Sequence, residues 1–201
     1  SRNLAATRWA NCGATSTVIW RTSPSDSAEV GKAAHLVLVG IPGSGKTSTG
    51  RELARALRWS FLDLDEQIAE RAGLSVRDIF ATRGEGHFRA LEREATEQLA
   101  QAAEPVVVAP GGGWITVPGL VELVRPPAQI IWLKVSPQRA LERMGKGVAK
   151  RPLLAGPAPL GALAAISAAR EHFYLQADHT VSVETMTPLE AAQAILALAH
   201  P

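Results

Sequence analysis

The chain predicts an α/β protein, a three-layer α/β/α sandwich built on five parallel strands. Three observations carry that prediction. From Ala34 onward, short and nearly all-apolar runs alternate with stretches of helical periodicity. Strands apolar on both faces must be covered on both faces, which is the pattern of a parallel sheet. The first apolar run, "AHLVLVG", leads straight into "GIPGSGKT", Gly40 to Thr47, and then into a helical stretch. The chemically active residue types gather just after the apolar runs, at the carboxyl ends of the strands, where such sheets bind their ligands.

Taken in order, "AHLVLVG" is a buried strand, and "KTSTGRELARALR" follows as a helix with Leu53, Ala54 and Leu57 on one face. "WSFLDLD" is the second strand and "DEQIAERAG" a short helix ended by Gly73. "SVRDIFATRG" opens on Ser75 with Asp78 three residues later, a capping-box pattern. "GHFRALEREATEQLAQAA" puts Phe88, Leu91, Ala95, Leu99 and Ala102 on one face of a long helix. "PVVVAPGGG" is the third strand, "AQIIWLKV" the fourth, and "SPQRALERMG" a helix with Ser136 before it and Pro137 in its first turn. "KGVAKRPLLAGPAPLG" is rich in Gly, Pro and Ala and reads as a mobile segment, followed by a helix over about Ala162 to Tyr174. "DHTVSVE" is the fifth strand and "TPLEAAQAILALAH" the closing helix.

Size and composition narrow the function. The 201 residues suit one domain with a real core, and 46% hydrophobic with 20% charged residues is ordinary for a soluble globular protein. A net charge of +2 without a basic run argues against a nucleic-acid partner. No apolar run approaches the ~18 residues of a membrane span. The single cysteine, Cys12, allows no disulfide within the chain and fits a reducing compartment, so a cytoplasmic location is expected. Residues 1–33 lack periodicity and read as a disordered or loosely packed extension to a domain spanning 34–201. Were that extension a transit remnant, the location would be a plastid.

Gly40, Gly45, Lys46 and Thr47 fit G-x-x-x-x-G-K-[ST] between a strand and a helix. Glycines let backbone N–H groups turn inward around phosphate oxygens, and the helix N-terminus adds partial positive charge. Lys46 is placed to reach the β- and γ-phosphates and Thr47 to ligate Mg²⁺. The loop leaves open motor, GTPase, transporter ATPase or small-molecule kinase, though the chain is too short for the larger machines.

The acceptor side is written in single residues. "FLDLD" places Asp63 and Asp65 at the end of the second strand, two apart and so on one face, where they call for a cation or a hydroxyl-bearing ligand. Arg89 lies early in the long helix with Glu85 four residues before it, the spacing of a surface ion pair as well. Gly111, Gly112 and Gly113 end the third strand and allow a ligand close to the backbone. Arg151 sits in the mobile segment, where an arginine can close over phosphate, and Arg170 lies in an Ala/Leu-rich helix.

Together, the phosphate loop, "FLDLDEQIAERAG", "IFATRGEGHFRALE", "APGGG", "RPLL" and "AREHFY" resemble the successive motifs of shikimate kinases, in that order, from Ala34 to His200. The resemblance implies strand order 2-3-1-4-5, a P-loop kinase with a short lid over about 146–160 and acceptor-binding helices over about 65–103. It implies transfer of the ATP γ-phosphate to the shikimate 3-hydroxyl, a step of chorismate and aromatic amino acid biosynthesis, with Mg²⁺ as cofactor. ATP would be held by Gly43, Ser44, Gly45, Lys46, Thr47 and Ser48, by Arg143 and Pro188 on either side of the adenine, and by Arg151 from the lid. Shikimate would be held by Asp65, Arg89, Gly111, Gly112, Gly113 and Arg170, and the metal by Thr47 and Asp63. Lys46, Asp65 and Arg151 would be catalytic. ATP and shikimate are the partners expected, and a monomer the expected state.

Trp114 stands where the resemblance leads one to expect a small residue, either narrowing the pocket or packing behind it. Two other readings stay open: a kinase for a different hydroxy acid such as gluconate, and a catalytically silent ligand-sensing domain of this type. The paired arginines favour a carboxylate-bearing acceptor in the first case. Retention of Lys46, Asp63, Asp65, Arg89, Arg151 and Arg170 speaks against the second.

Overall fold

The computed structural model describes residues 34–154 and 156–199; the expected extension over 1–33 lies outside the described residues. Five strands form one parallel sheet: β1 (Leu36–Val39), β2 (Ser60–Asp63), β3 (Val106–Ala109), β4 (Gln129–Lys134) and β5 (His179–Ser182). Their spatial order is β2-β3-β1-β4-β5, as expected. All residues of β1 and β3 are buried, because Leu and Val fill both faces of these central strands. Pairing aligns Val37 with Val108 and Asp63 with Ala109, so the ends of β1, β2 and β3 open onto one edge.

The helices are α1 (Lys46–Leu57), α2 (Leu64–Ala72), α3 (Val76–Ala100), α4 (Leu120–Val124), α5 (Pro137–Met144), α6 (Pro159–Tyr174) and α7 (Pro188–Leu198). Helix α1, which follows the phosphate loop, packs against α7. Helix α7 starts at Pro188 with a full capping box: Thr187 accepts from the Glu190 N–H, and the Glu190 carboxylate accepts from the Thr187 N–H at 2.7 Å. Thr187→Ala is expected to destabilise the domain by about 1 kcal/mol, read as a lower urea midpoint with unchanged slope.

Four sequence expectations are corrected. Strand β2 stops at Asp63, and Asp65 lies in the first turn of α2 rather than on the strand. The side chain of Asp63 accepts from the Glu66 N–H and caps α2, so the helix starts one residue early, at Leu64. The two stretches on either side of Gly84, read separately, form one α3 with a break at Gly84 (φ 80°, ψ 170°). Helix α6 begins at Pro159 rather than near Ala162, proline being well suited to the first turn. The stretch after the glycines also folds, with a 3₁₀ turn at Trp114–Thr116 before α4. In the segment expected to be mobile, 3₁₀ turns cover Gly145–Lys150 and Pro152–Leu154, and Leu154 is buried.

Candidate active site

The phosphate loop runs from the end of β1 to the start of α1. Gly43 has φ 83°, and a side chain there would run into the Ala140 carbonyl of α5, so only glycine lets the loop close against that helix. Gly45 (φ 92°) is the N-cap of α1 and contributes no side-chain cap, leaving the helix's first N–H groups directed at the loop. The Lys46 ammonium bends back and donates to the Gly40 carbonyl at 2.9 Å and the Ile41 carbonyl at 3.3 Å. Burial and the Arg151 charge lower its pKa to about 8, against the pull of Asp65 and Asp63. Ser44 is buried within the loop and Ser48 is exposed in the first turn of α1.

Thr47 and Asp63, separate in sequence, meet: the Thr47 hydroxyl donates to Asp63 Oδ2 at 2.8 Å. Two hard oxygen ligands on the ends of α1 and β2 suit Mg²⁺, which takes few protein ligands and relies on phosphate and water for the rest. No group of three or more His, Cys, Asp or Glu able to hold a metal occurs among the described residues. The donor set therefore fits a metal carried in with a nucleotide.

Asp65 is largely buried, and its Oδ1 has no hydrogen-bond partner. Burial, then the nearby Asp63 charge, pushes its pKa above the usual carboxylate value, with Lys46, Arg151 and Arg89 opposing. The three glycines explain how it is accommodated. A Cβ on Gly111 would lie 2.7 Å from Asp65 Oδ1, one on Gly112 would lie 3.3 Å from an Arg170 guanidinium nitrogen, and one on Gly113 would lie 2.8 Å from Arg89 Nη2. Three successive glycines thus face a carboxylate and two guanidiniums, which converge from α2, α6 and α3.

Each arginine is held from behind. Arg170 donates to the Gly112 carbonyl at 2.9 Å. Arg89 pairs with Glu85 at 2.9 Å, the surface pair allowed by the spacing, and with Glu92 at 2.6 Å. Burial opposes the Arg89 charge, but the two carboxylates hold its pKa above the ordinary value. Arg151 is exposed, and its positive charge acts on both Lys46 and Asp65. Arg143 donates to the carbonyls of Val183 and of Met186 (2.9 Å), so it fastens α5 to the loop that leads into Pro188.

Sequence reasoning missed two residues here. Glu92 is fully buried with its Oε1 unpartnered, and burial raises its pKa. Its signal was legible: a glutamate on the same face of α3 as Phe88, Ala95 and Leu99. The Tyr174 hydroxyl donates to the same Gly112 carbonyl at 3.2 Å, and its ring stacks on Trp132 of β4 with centroids 5.5 Å apart. Its four-residue spacing from Arg170 was the only hint. Trp114 packs behind the glycines, 1% exposed, and does not narrow the site.

The chain as a whole is similar to known proteins. A family model described as shikimate kinase matches residues 42–199. The shikimate kinase of Moorella thermoacetica is 46% identical over 144 residues, 72% of this chain and 82% of its own length. That of Symbiobacterium thermophilum is 44% identical over 146 residues, again 72% of this chain and 83% of its own. Shikimate kinase from Acinetobacter baumannii, solved in complex with shikimate, superposes with a TM-score of 0.77 at 32% identity, covering 83% of this chain and 92% of that one. With a phosphate loop, a buried aspartate and a pair of arginines assembled around one glycine run, and with this level of identity, the chain belongs to the shikimate kinase family.

Proposed function

We propose that the site transfers the γ-phosphate of ATP to the 3-hydroxyl of shikimate, with the residue roles that follow. The observation that carries this reading is the glycine run 111–113, faced by Asp65, Arg170 and Arg89 in turn. The two guanidiniums offer bidentate binding to the shikimate carboxylate. Asp65 then lies at the hydroxyl end, and its raised pKa makes it a better proton acceptor than an ordinary aspartate. In the reaction the bond from the γ-phosphorus to the ADP oxygen breaks, the acceptor oxygen bonds to phosphorus, and the hydroxyl proton passes to Asp65.

Gly43, Ser44, Gly45 and Ser48 form the phosphate cradle with Lys46, whose ammonium exchanges its loop carbonyls for phosphate oxygens. Arg151 reaches the transferring group from the lid, and Arg143 with Pro188 borders the adenine. Thr47 and Asp63 would hold Mg²⁺, which supplies charge neutralisation on the phosphates when bound. No helix among the described residues is long and apolar enough to cross a membrane.

The test is ADP release by the purified protein with Mg²⁺ and ATP, with and without shikimate, and with gluconate alongside. Shikimate-dependent release is expected, and gluconate is expected to add nothing. Equal release with gluconate would move the acceptor. Saturable shikimate binding without turnover would favour the sensing reading.

The pH profile checks the two perturbed groups. The acid limb of kcat/KM for shikimate is expected above the ~3.9 of an ordinary aspartate, because Asp65 must be ionised and its pKa is raised. The alkaline limb of kcat/KM for ATP is expected near pH 8, where free-enzyme Lys46 loses its proton. In kcat that limb moves to higher pH, since bound phosphate favours the charged lysine.

A further inference from the structure

We infer that Trp114 and Thr96 form a strut that positions the glycine cradle against Arg89 and thereby sets the affinity for the acceptor carboxylate. The inference rests on the acceptor site proposed above. Trp114 and Thr96 are both buried, at 1% and 0% exposure. The Trp114 indole N–H donates to the Thr96 hydroxyl at 3.0 Å. That hydroxyl donates its own proton to the Glu92 carbonyl at 2.7 Å, so its lone pairs are turned to the indole.

The strut joins two parts of the acceptor site. Trp114 directly follows Gly113, the residue against which Arg89 lies. Its backbone N–H closes the cradle by donating to the Gly111 carbonyl at 3.0 Å, and the Thr116 hydroxyl donates to the Gly113 carbonyl at 2.7 Å. Thr96 sits one turn beyond Glu92 on α3, and Glu92 in turn holds Arg89. Thr96, Glu92 and Arg89 therefore lie at successive turns of α3, with the Trp114 indole joined to the row at Thr96 from the 3₁₀ turn.

At its other end the cradle is fixed to α6, where Arg170 and Tyr174 both bond the Gly112 carbonyl. The cradle is strung between the two helices that carry the two arginines. Releasing the α3 end lets Gly113 shift relative to Arg89 while Gly112 stays with Arg170. A carboxylate that needs both guanidiniums at once senses that shift, whereas a nucleotide on the phosphate loop does not.

Thr96→Val keeps the shape and removes the acceptor; Trp114→Phe keeps a ring and removes the N–H; Thr96→Ser keeps the hydroxyl. The first two are expected to raise shikimate KM about tenfold, leaving KM for ATP within about twofold, and Thr96→Ser is expected to restore the wild-type value. Amide exchange at residue 114, measured without substrates, is expected to accelerate about tenfold in Thr96→Val and Trp114→Phe, since a buried donor or acceptor left unpaired weakens its surroundings. Unchanged shikimate KM in a folded Thr96→Val or Trp114→Phe protein overturns the strut, as does a parallel rise in both KM values. If Thr96→Val does not fold, Trp114→Phe against Thr96→Ser decides. A wild-type protein inert toward shikimate overturns the acceptor reading instead, and the exchange data then decide the strut independently.

Discussion

Asp65→Asn is expected to lower kcat for shikimate phosphorylation by about 10³-fold, within the usual span for loss of a general base. Asparagine has the same shape and can still contact Gly111, so the cradle and the neighbouring arginines keep their places. What it cannot do is take the hydroxyl proton or hold negative charge beside Lys46, Arg151 and Arg89. Shikimate binding, measured by calorimetry, is expected to weaken far less than turnover. The alkaline limb assigned to Lys46 should move to lower pH, since Asp65 is one of the charges that hold its proton. A variant with near-normal kcat would remove Asp65 from the chemistry and leave positioning and charge neutralisation to do the work.

Arg89→Ala is expected to raise shikimate KM about 100-fold, the loss of a charged, bidentate hydrogen-bonding partner, with little change in KM for ATP. The substitution has a second consequence. Glu92 is buried against Arg89 and accepts from it at 2.6 Å, so removing the guanidinium strands a carboxylate in the core. Its pKa, already raised by burial, should rise further once the opposing guanidinium is gone. Stability of the variant should therefore improve as the pH falls through that raised pKa toward the ordinary glutamate value. Arg89→Lys separates the two effects: it keeps a positive charge for Glu92 yet offers a single point charge to the acceptor. It is expected to restore most of the stability and little of the shikimate affinity, read by thermal unfolding and steady-state kinetics on one preparation.

Much of this site was legible because its chemistry depends on residue types that have few substitutes. The phosphate loop needs glycine at Gly40 and Gly45 for backbone reasons, and Lys46 and Thr47 for their end groups, so four residues in eight declare it. Arg170 was visible as a cation on an Ala/Leu-rich helix, whereas Arg89 stood among the many charges of its helix and was singled out by the resemblance. Asp65 was found but placed on a strand. The pattern that corrects it was present: Asp63 followed three residues later by Glu66 is an N-cap signature, and the Asp63 side chain does accept from the Glu66 N–H. Alternation of apolar residues in "FLDLD" fits a strand as well as a helix entry, and only the cap decides between them. Helix α4 was passed over since five residues are too few for a helical period to declare itself.

By itself, then, the sequence determined the parallel α/β sheet, the phosphate loop and the identities of the charged residues around it, because each is encoded in local pattern or in an end group. Tertiary structure alone decided which of those charges face one another. Glycines 111–113 are three consecutive residues, yet their partners come from α2, α6 and α3. Thr47 meets Asp63 across two elements, and Trp114 finds Thr96 through the core. Such contacts depend on how helices cross a sheet edge, and no periodicity within a single segment records them.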